Sequence, residues 1–328
     1  MIDLNDFSRK LKTLSGGSKQ KTCLMEKNGE LFIRKTIKKR DSRKTRNQIR
    51  WFIKNEGAHV PPIKNYGERI FDFHYDLPYF EGYKSLSEFV IEESLEKSKK
   101  MLRKILAFLF NDFYVYKEDP EIENKLDHYL ESRLIERLRD ICHLNKEVAE
   151  LSKYHELIIN DKKYPSALEL INRILAIKHK IAEKSKKSVL NLHGDLIADN
   201  ILCKEEDFIL LDPDESPFGS YLGDMGKLFE SFHSRYEIML QNKDFEIKGN
   251  KINFPEPQND NYKAIFEFLR EELKKYVPED QFPLIIFNEA LHFSRMLPYK
   301  HHNNPKIVPI YYCQTIRLLN MFLQLFEV

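Results

Sequence analysis

The chain has 328 residues, of which 42% are hydrophobic and 32% are charged, and its formal net charge is only +2. A hydrophobic content of this size supports a buried core and excludes a disordered chain. The nearly balanced charge argues against a uniformly basic nucleic-acid binder. No apolar run reaches the roughly 18 to 20 residues that a membrane span requires.

The start of the sequence and its cysteines predict a cytoplasmic setting. The opening MIDLNDFSRKLKTL lacks the apolar core of a signal peptide. No two cysteines form a CxxC pair, so neither a zinc site nor a disulfide framework is predicted. The cysteines are Cys23, Cys142, Cys203 and Cys313.

The first eighty residues predict a small antiparallel sheet with one helix. Two apolar runs in TCLMEKNGELFIRKTI are joined by Asn-Gly, which is the strongest short signal for a β-hairpin. Residues 42–55 carry Ile49, Phe52 and Ile53 at helical spacing, and VPP ends that helix. IKNYGERIF and FHYDLPYF then read as two further strands.

The remainder of the chain predicts a large helical region with a small β insert. Helical periodicity covers residues 85–153, 165–186 and 221 to the end, with a short hairpin predicted at ELIINDKKYPS. PYKHHNNPK reads as a loop. We therefore predict a β-rich lobe over residues 1–80 and a helical lobe over residues 81–328.

The insert LNLHGDLIADNILCKEEDFILLDPDE holds an unusual group of polar residues. ILC and FILL predict a hairpin, which brings Asn200 and Asp212 together at its open end, with Asp195 shortly before it. Two oxygen ligands on a rigid hairpin suit Mg²⁺, which binds few protein groups together with substrate phosphates. The further carboxylate, Asp195, can take or orient a hydroxyl proton.

This pattern resembles the catalytic loop and metal-binding Asp of the protein-kinase-like fold. HGD, with Gly194 where protein kinases usually carry Arg, is similar to the aminoglycoside phosphotransferase and choline kinase superfamily, as is LLDPDE in place of DFG. GDMGKLFESFHSRYE resembles the following helix, in which Asp224 braces the catalytic loop. Within the superfamily, the details look most like bacterial sugar or surface-polysaccharide phosphotransferases.

The resemblance implies an α+β, two-lobed fold and an ATP- and Mg²⁺-dependent kinase that phosphorylates a hydroxyl group. Asp195 and His193 form the implied catalytic set. Asp195 orients or deprotonates the acceptor hydroxyl, and His193 supports the loop without transferring a proton. Asn200 and Asp212 hold Mg²⁺ against the ATP phosphates. Asp214 is either a supporting acid or a turn residue.

The resemblance also assigns residues to the nucleotide phosphates. A strand lysine should reach the α- and β-phosphates, and Lys35 in FIRK is the first candidate, with Arg34 as the alternative. The loop LSGGSK, with Gly16, Gly17 and Ser18, would cover the phosphates. A plain turn is an equally good interpretation of a lone glycine pair.

Two further features follow from the alignment with kinases. YDLPYF would connect the lobes and offer backbone groups to adenine from Asp76, Leu77 and Tyr79. The helix after the lysine usually supplies a Glu that pairs with it, but Gln48 occupies that place here. Because Gln cannot form an ion pair, the resemblance implies that Lys35 is held differently in this chain.

Several alternatives remain open at this point. Gln48 motivates a pseudokinase-like regulatory module, whereas HGD and the absence of A-P-E argue against a protein kinase. A choline kinase would need an aromatic cage for its cation, and an aminoglycoside kinase a strongly acidic wall. Neither stands out, so a sugar or sugar-like acceptor is preferred. The basic run at residues 34–54 could bind a polyanion, but a solvated helix face is the favoured interpretation.

Overall fold

The computed structural model describes residues 8–14, 20–214, 219–241 and 244–327. Gly16, Gly17 and Ser18, predicted to cover the phosphates, lie outside the described residues. The strands are β1 (Arg9–Leu14), β2 (Lys21–Lys27), β3 (Glu30–Lys38), β4 (Asn65–Glu68), β5 (Asp72–Pro78), β6 (Lys84–Ser85), β7 (Tyr116–Glu118), β8 (Glu156–Ile159), β9 (Lys162–Pro165), β10 (Lys187–Val189), β11 (Ile201–Lys204), β12 (Asp207–Leu210), β13 (Glu246–Lys248) and β14 (Lys251–Asn253). The α-helices are α1 (Arg43–Asn55), α2 (Leu86–Glu92), α3 (Leu95–Phe108), α4 (Ile122–Leu130), α5 (Glu136–Leu144), α6 (Lys146–Leu151), α7 (Ala167–Ala176), α8 (Lys178–Lys184), α9 (Tyr221–Phe232), α10 (Tyr236–Met239), α11 (Asp260–Leu273), α12 (Phe282–Asn303) and α13 (Val308–Phe326).

The chain folds into two compact units, and the predicted α+β class is confirmed. The first unit is Met1–Phe89 with Asp199–Glu215, and the second unit is the remainder. The hairpin β11–β12 belongs to the first unit because β11 pairs with β6, with Leu202 opposite Ser85. The predicted division at residue 80 left this hairpin in the other lobe, since sequence order alone cannot show which sheet a strand joins.

An antiparallel sheet of order β1-β2-β3-β5-β4 forms the body of the first unit. Asn28 and Gly29 turn the β2–β3 hairpin with φ values of 53° and 80°, as the Asn-Gly signal predicts. Helix α1 buries Phe52 completely, and its ring lies 6.3 Å from the ring of Tyr75 in β5. This apolar contact fixes α1 beside the central strands.

Helix α9 lies at the centre of the second unit, and all of its residues are buried. It packs against α12, which in turn packs against α13. A Cβ atom at Gly226 would lie 2.8 Å from the Cβ of Asn288 and 3.0 Å from the backbone nitrogen of Glu289. Glycine is therefore needed at this position, because α9 and α12 approach each other so closely.

The predicted loop PYKHHNNPK is wrong in its first six residues, 298–303. Helix α12 continues to Asn303 and includes Pro298. Proline costs a helix one hydrogen bond and clashes with the preceding turn. Packing against α13 overrides that cost here, since Leu297 and Lys300 on either side of Pro298 are buried. In the part of the chain that the structure describes, no helix is both long and apolar enough to cross a membrane.

Candidate active site

The hairpin β11–β12 places Asn200 and Asp212 at the same end of the first unit. Ile201 pairs with Leu210, and beyond that pair the Leu211 N–H donates to the carbonyl of Asn200 at 2.8 Å. Asp212 follows directly and has a φ of 56°. Asp tolerates this left-handed conformation better than most residues do. The strand register therefore brings together the two residues that the sequence predicts as metal ligands.

Lys35 and Arg34 point to different partners. Lys35 in β3 forms an ion pair with the Asp212 carboxylate, and its side chain is only 8% exposed. Arg34 donates from Nε and Nη2 to the two carboxylate oxygens of Asp76, each at 2.7 Å. Such a bidentate pair fixes the guanidinium strongly. The guanidinium of Arg34 is therefore used in an ion pair between β3 and β5. Lys35 is the cation beside Asp212.

Asp76 in β5 makes contacts within the sheet through both its side chain and its backbone. Its side chain binds Arg34, and its backbone carbonyl accepts a hydrogen bond from the Lys64 N–H at 2.9 Å. That carbonyl is thus already used once within the sheet, and the adenine contact from Asp76 stays a prediction. The last pair between β4 and β5 joins Asn65 and Asp76. Leu77 and Tyr79 lie beyond it, and among the described strands none pairs with them on the β4 side.

Helix α1 holds the segment that follows Asp212. The Gln48 side-chain amide donates to the carbonyl of Pro213 at 3.1 Å, and Lys44 pairs with Asp214 at 3.1 Å. Lys44 and Gln48 are one helical turn apart, so both side chains lie on the same face. Gln48 is buried and donates to a carbonyl, which a Glu carboxylate could not do. The Gln therefore anchors this segment, while Asp212 supplies the carboxylate for Lys35.

Acidic residues of the same unit neutralise much of the basic run 34–54. Besides the pairs of Arg34, Lys35 and Lys44, both Lys39 and Arg46 form ion pairs with Glu68. Their hydrogen bonds lower the pKa of Glu68 to about 2. These charges already have partners within the protein, which supports the solvated helix face over a polyanion site.

Asp224 of α9 organises the backbone of the HGD loop, residues 193–195, in the second unit. Its carboxylate accepts hydrogen bonds from the His193 N–H at 2.9 Å, the Gly194 N–H at 2.7 Å and the Tyr114 hydroxyl at 2.9 Å. Gly194 has a φ of 78°, a conformation that glycine adopts at low cost. Complete burial raises the pKa of Asp224, although these hydrogen bonds oppose the shift. The brace expected from the resemblance is therefore present in full.

His193 supports the loop from inside. The residue is fully buried, and its Nδ1 accepts a hydrogen bond from the Asp195 N–H at 3.3 Å. An imidazole nitrogen that accepts this bond carries no proton. His193 thus orients Asp195 through the backbone, as the resemblance implies.

Lys227 is a site residue that the sequence analysis missed. Its Nζ lies 3.3 Å from the Asp195 carboxylate and 2.7 Å from the Glu230 carboxylate, and both Lys227 and Glu230 are buried. Burial raises the pKa of Glu230, and the Lys227 ammonium opposes that shift. Lys227 therefore holds Asp195 by charge, and Glu230 holds Lys227. The signal was a Lys–Glu pair at i,i+3 spacing within the buried helix α9.

Replacing Tyr114 with Phe tests the Asp224 brace. The variant removes one buried hydrogen bond to a carboxylate without changing the shape of the ring. We expect the free energy of unfolding to fall by about 1.5–3 kcal/mol, as measured by urea denaturation. Tyr116→Phe is the matched control, because Tyr116 is 37% exposed and should change stability by less than about 0.5 kcal/mol. Equal losses in the two variants would contradict the role given to Asp224.

Solved structures of phosphotransferases share this architecture. A fructosamine-3-kinase-like protein from Haemophilus somnus 129PT matches with a TM-score of 0.54 and 14% identity over 97% of this chain and 92% of its own. A thermostable mutant of aminoglycoside phosphotransferase APH(4)-Ia, in a ternary complex with AMP-PNP and hygromycin B, matches with a TM-score of 0.60 and 9% identity over 97% and 96%. The chain shares the fold of these two structures.

A third match is spectinomycin phosphotransferase APH(9)-Ia in complex with ADP and spectinomycin, with a TM-score of 0.51 and 10% identity over 98% and 93%. At the level of sequence, no family profile and no curated protein matches this chain. The TM-scores and coverages show a shared fold, and sequence identities of 9–14% show nothing beyond it.

Proposed function

We propose that the protein is an ATP-dependent small-molecule kinase that transfers the γ-phosphoryl group to a hydroxyl of a sugar or sugar-like acceptor. The observation that carries this proposal is the presence of two groups of polar residues, one suited to the nucleotide phosphates and one to the acceptor hydroxyl. Lys35, Asn200 and Asp212 are gathered in the first unit. Asp195 is held by His193 and Lys227 in the second unit. The nucleotide complexes of two structural neighbours support the same reading.

In the proposed reaction, the acceptor hydroxyl oxygen attacks the γ-phosphorus, and the bond from that phosphorus to the leaving ADP oxygen breaks. The hydroxyl proton passes to the Asp195 carboxylate, and ADP leaves with the phosphate charge. The Lys227 ammonium, 3.3 Å from the carboxylate, holds Asp195 in position before transfer. Lys35 binds the α- and β-phosphates, and the backbone of Leu77 and Tyr79 contacts adenine.

Asn200 and Asp212 fit a magnesium ion. Their side chains offer a carboxamide and a carboxylate oxygen from the same end of one hairpin, which are donors that Mg²⁺ prefers. Among the described residues, no group of three or more His, Cys, Asp and Glu side chains is placed to hold a metal. In the proposed site, two protein groups would hold the ion and phosphate oxygens would complete its coordination. When bound, the ion would neutralise phosphate charge.

The pseudokinase alternative loses its main support in this arrangement. It was motivated by Gln48, which cannot form an ion pair with Lys35. Lys35 instead has a carboxylate partner in Asp212, and Gln48 anchors the carbonyl of Pro213. We therefore favour an active enzyme over a pseudokinase.

The cytoplasmic location of the protein stays a prediction.

Binding of AMP-PNP to the Lys35→Met variant tests the nucleotide half of the proposal. Loss of a charge-assisted phosphate contact should weaken binding by roughly 10- to 100-fold in calorimetry. Lys27→Met is the control, because Lys27 is exposed at the end of β2 and should bind AMP-PNP like the unaltered protein. An unchanged affinity of Lys35→Met for AMP-PNP would show that Lys35 does not contact the phosphates. Absence of nucleotide binding by the unaltered protein would overturn the proposed function.

A further inference from the structure

Lys300 is a buried cation that the proposed mechanism does not use. It lies in α12 and is only 8% exposed. Its Nζ donates to the Tyr236 hydroxyl at 3.1 Å and lies 5.1 Å and 5.5 Å from the ring centres of Tyr236 and Tyr311. Within the described part of the chain, no carboxylate lies at ion-pair distance from it. One hydroxyl and two aromatic faces leave an ammonium with donors to spare.

Lys300 belongs to the same surroundings as Asp195. Burial lowers the pKa of Lys300, the nearby Lys227 charge lowers it further, and the Glu230 charge opposes the shift. Tyr236, which accepts the hydrogen bond from Lys300, is followed by Glu237. The Ser231 hydroxyl donates to Glu237 at 2.8 Å and accepts from the Ala198 N–H at 2.9 Å, which ties α10 to the loop that follows Asp195. Lys227 already lies between Asp195 and Glu230. Of the two lysines in this group, Lys227 is paired with carboxylates, whereas Lys300 has none at ion-pair distance among the described residues.

The backbone next to Tyr236 is also unusual. Arg235 precedes it with a φ of 54°, in the left-handed region that non-glycine residues seldom adopt. Such conformations cost about 1–3 kcal/mol and concentrate at functional sites. This conformation starts α10 and places Tyr236 beside Lys300 and Tyr311. The left-handed conformation of Arg235, between α9 and α10, thus positions the tyrosine that accepts the hydrogen bond from the buried Lys300.

We propose that Lys300 binds an anionic group, a carboxylate or a phosphate, on the polyhydroxylated acceptor. A buried ammonium without a carboxylate is costly, and an anionic ligand would remove that cost on binding. A second positive charge near Lys227 also disfavours a cationic acceptor such as an aminoglycoside. The proposal rests on the proposed kinase function, and it narrows the acceptor from sugars in general to acidic or already phosphorylated ones.

Four matched hexoses distinguish the charge classes of the acceptor. Phosphoryl transfer from ATP is measured by mass spectrometry with glucose, glucosamine, glucuronate and glucose 6-phosphate. We expect kcat/KM for the two anionic hexoses to exceed that for glucose by at least about tenfold, with glucosamine the poorest. The ratio between glucuronate and glucose 6-phosphate then separates a carboxylate site from a phosphate site. Equal or better use of glucose or glucosamine would overturn the proposal.

Variants of Lys300 separate recognition from structure. Lys300→Met should lower kcat/KM for the two anionic hexoses to the value for glucose, whereas Lys300→Arg should keep part of the preference. Lys306→Met, at an exposed position that follows α12, should behave like the unaltered protein. An equal loss with all four hexoses in Lys300→Met would show that Lys300 only stabilises the fold, and the proposal would fall.

A binding measurement keeps this test apart from that of the proposed function. Binding of inorganic phosphate, glucose 6-phosphate and glucose is measured by calorimetry with AMP-PNP present. We expect glucose 6-phosphate to bind at least tenfold more tightly than glucose, and Lys300→Met to abolish the difference. Equal binding of the two overturns the anionic site even if transfer occurs. Lys300-dependent binding without transfer to any acceptor would instead overturn the kinase function.

Discussion

Replacing Asp195 with Asn is expected to lower the rate of phosphoryl transfer by about 10²- to 10⁴-fold, the usual contribution of a positioned general base. The amide has nearly the shape of the carboxylate but cannot take the acceptor proton. Affinity for AMP-PNP should stay within about twofold, since Lys35, Asn200 and Asp212 are unchanged. The measurements are single-turnover transfer and calorimetry on the same preparation.

Asp161→Asn is the matched control for this experiment. Asp161 lies in the turn between β8 and β9 with a φ of 64°, which Asn also tolerates, and its only ion pair in the described structure joins it to Lys251. We expect unchanged transfer and unchanged stability. A wild-type rate in Asp195→Asn would show that another group takes the proton.

Replacing Lys227 with Met should lower the free energy of unfolding by about 3–5 kcal/mol, because it leaves the Glu230 carboxylate buried without its cation. Protonation of Glu230 would relieve part of this cost. The pKa of Glu230 is already raised by burial and should rise further once the ammonium is gone. The loss of stability should therefore be smaller at acidic pH, where the carboxyl is neutral, and larger as pH rises through its folded pKa.

A second substitution separates stability from catalysis. In Lys227→Met with Glu230→Leu, both charges are replaced by apolar side chains, and stability should return to within about 1 kcal/mol of the starting value. Transfer should stay low in both variants, because Asp195 has lost the ammonium 3.3 Å away. Recovery of both stability and transfer in the double variant would mean that Lys227 acts on the fold alone.

The spacing of HGDLIADN and LLDPDE was enough to predict the hairpin and the residues at its end. Local signals sufficed because the β11–β12 hairpin and the Asp195 loop are built from residues close in sequence. The left-handed turns at Asn28 and Gly29 were predictable for the same reason. Such features depend on neighbours along the chain, which the sequence displays directly.

The features that were missed all depend on residues distant in sequence. Arg34 meets Asp76 because β3 and β5 are neighbours in the sheet although they are not consecutive strands. Lys227 reaches Asp195 only because α9 is buried beneath the catalytic loop. The hydrophobic periodicity of the sequence does not predict such contacts between residues that are distant along the chain. Likewise, the helical course through Pro298 follows from packing against α13, which outweighs the local preference.

The hydrogen bond from Gln48 to Pro213 bears on how inactive members of this fold are recognised. A comparison that looks for Glu in the helix after the lysine would class this chain as catalytically dead. The lysine nevertheless has a carboxylate, contributed from the far side of the sequence by Asp212. An active site of this fold should therefore be recognised by any carboxylate that neutralises the lysine. A motif search confined to one helix does not detect such a carboxylate.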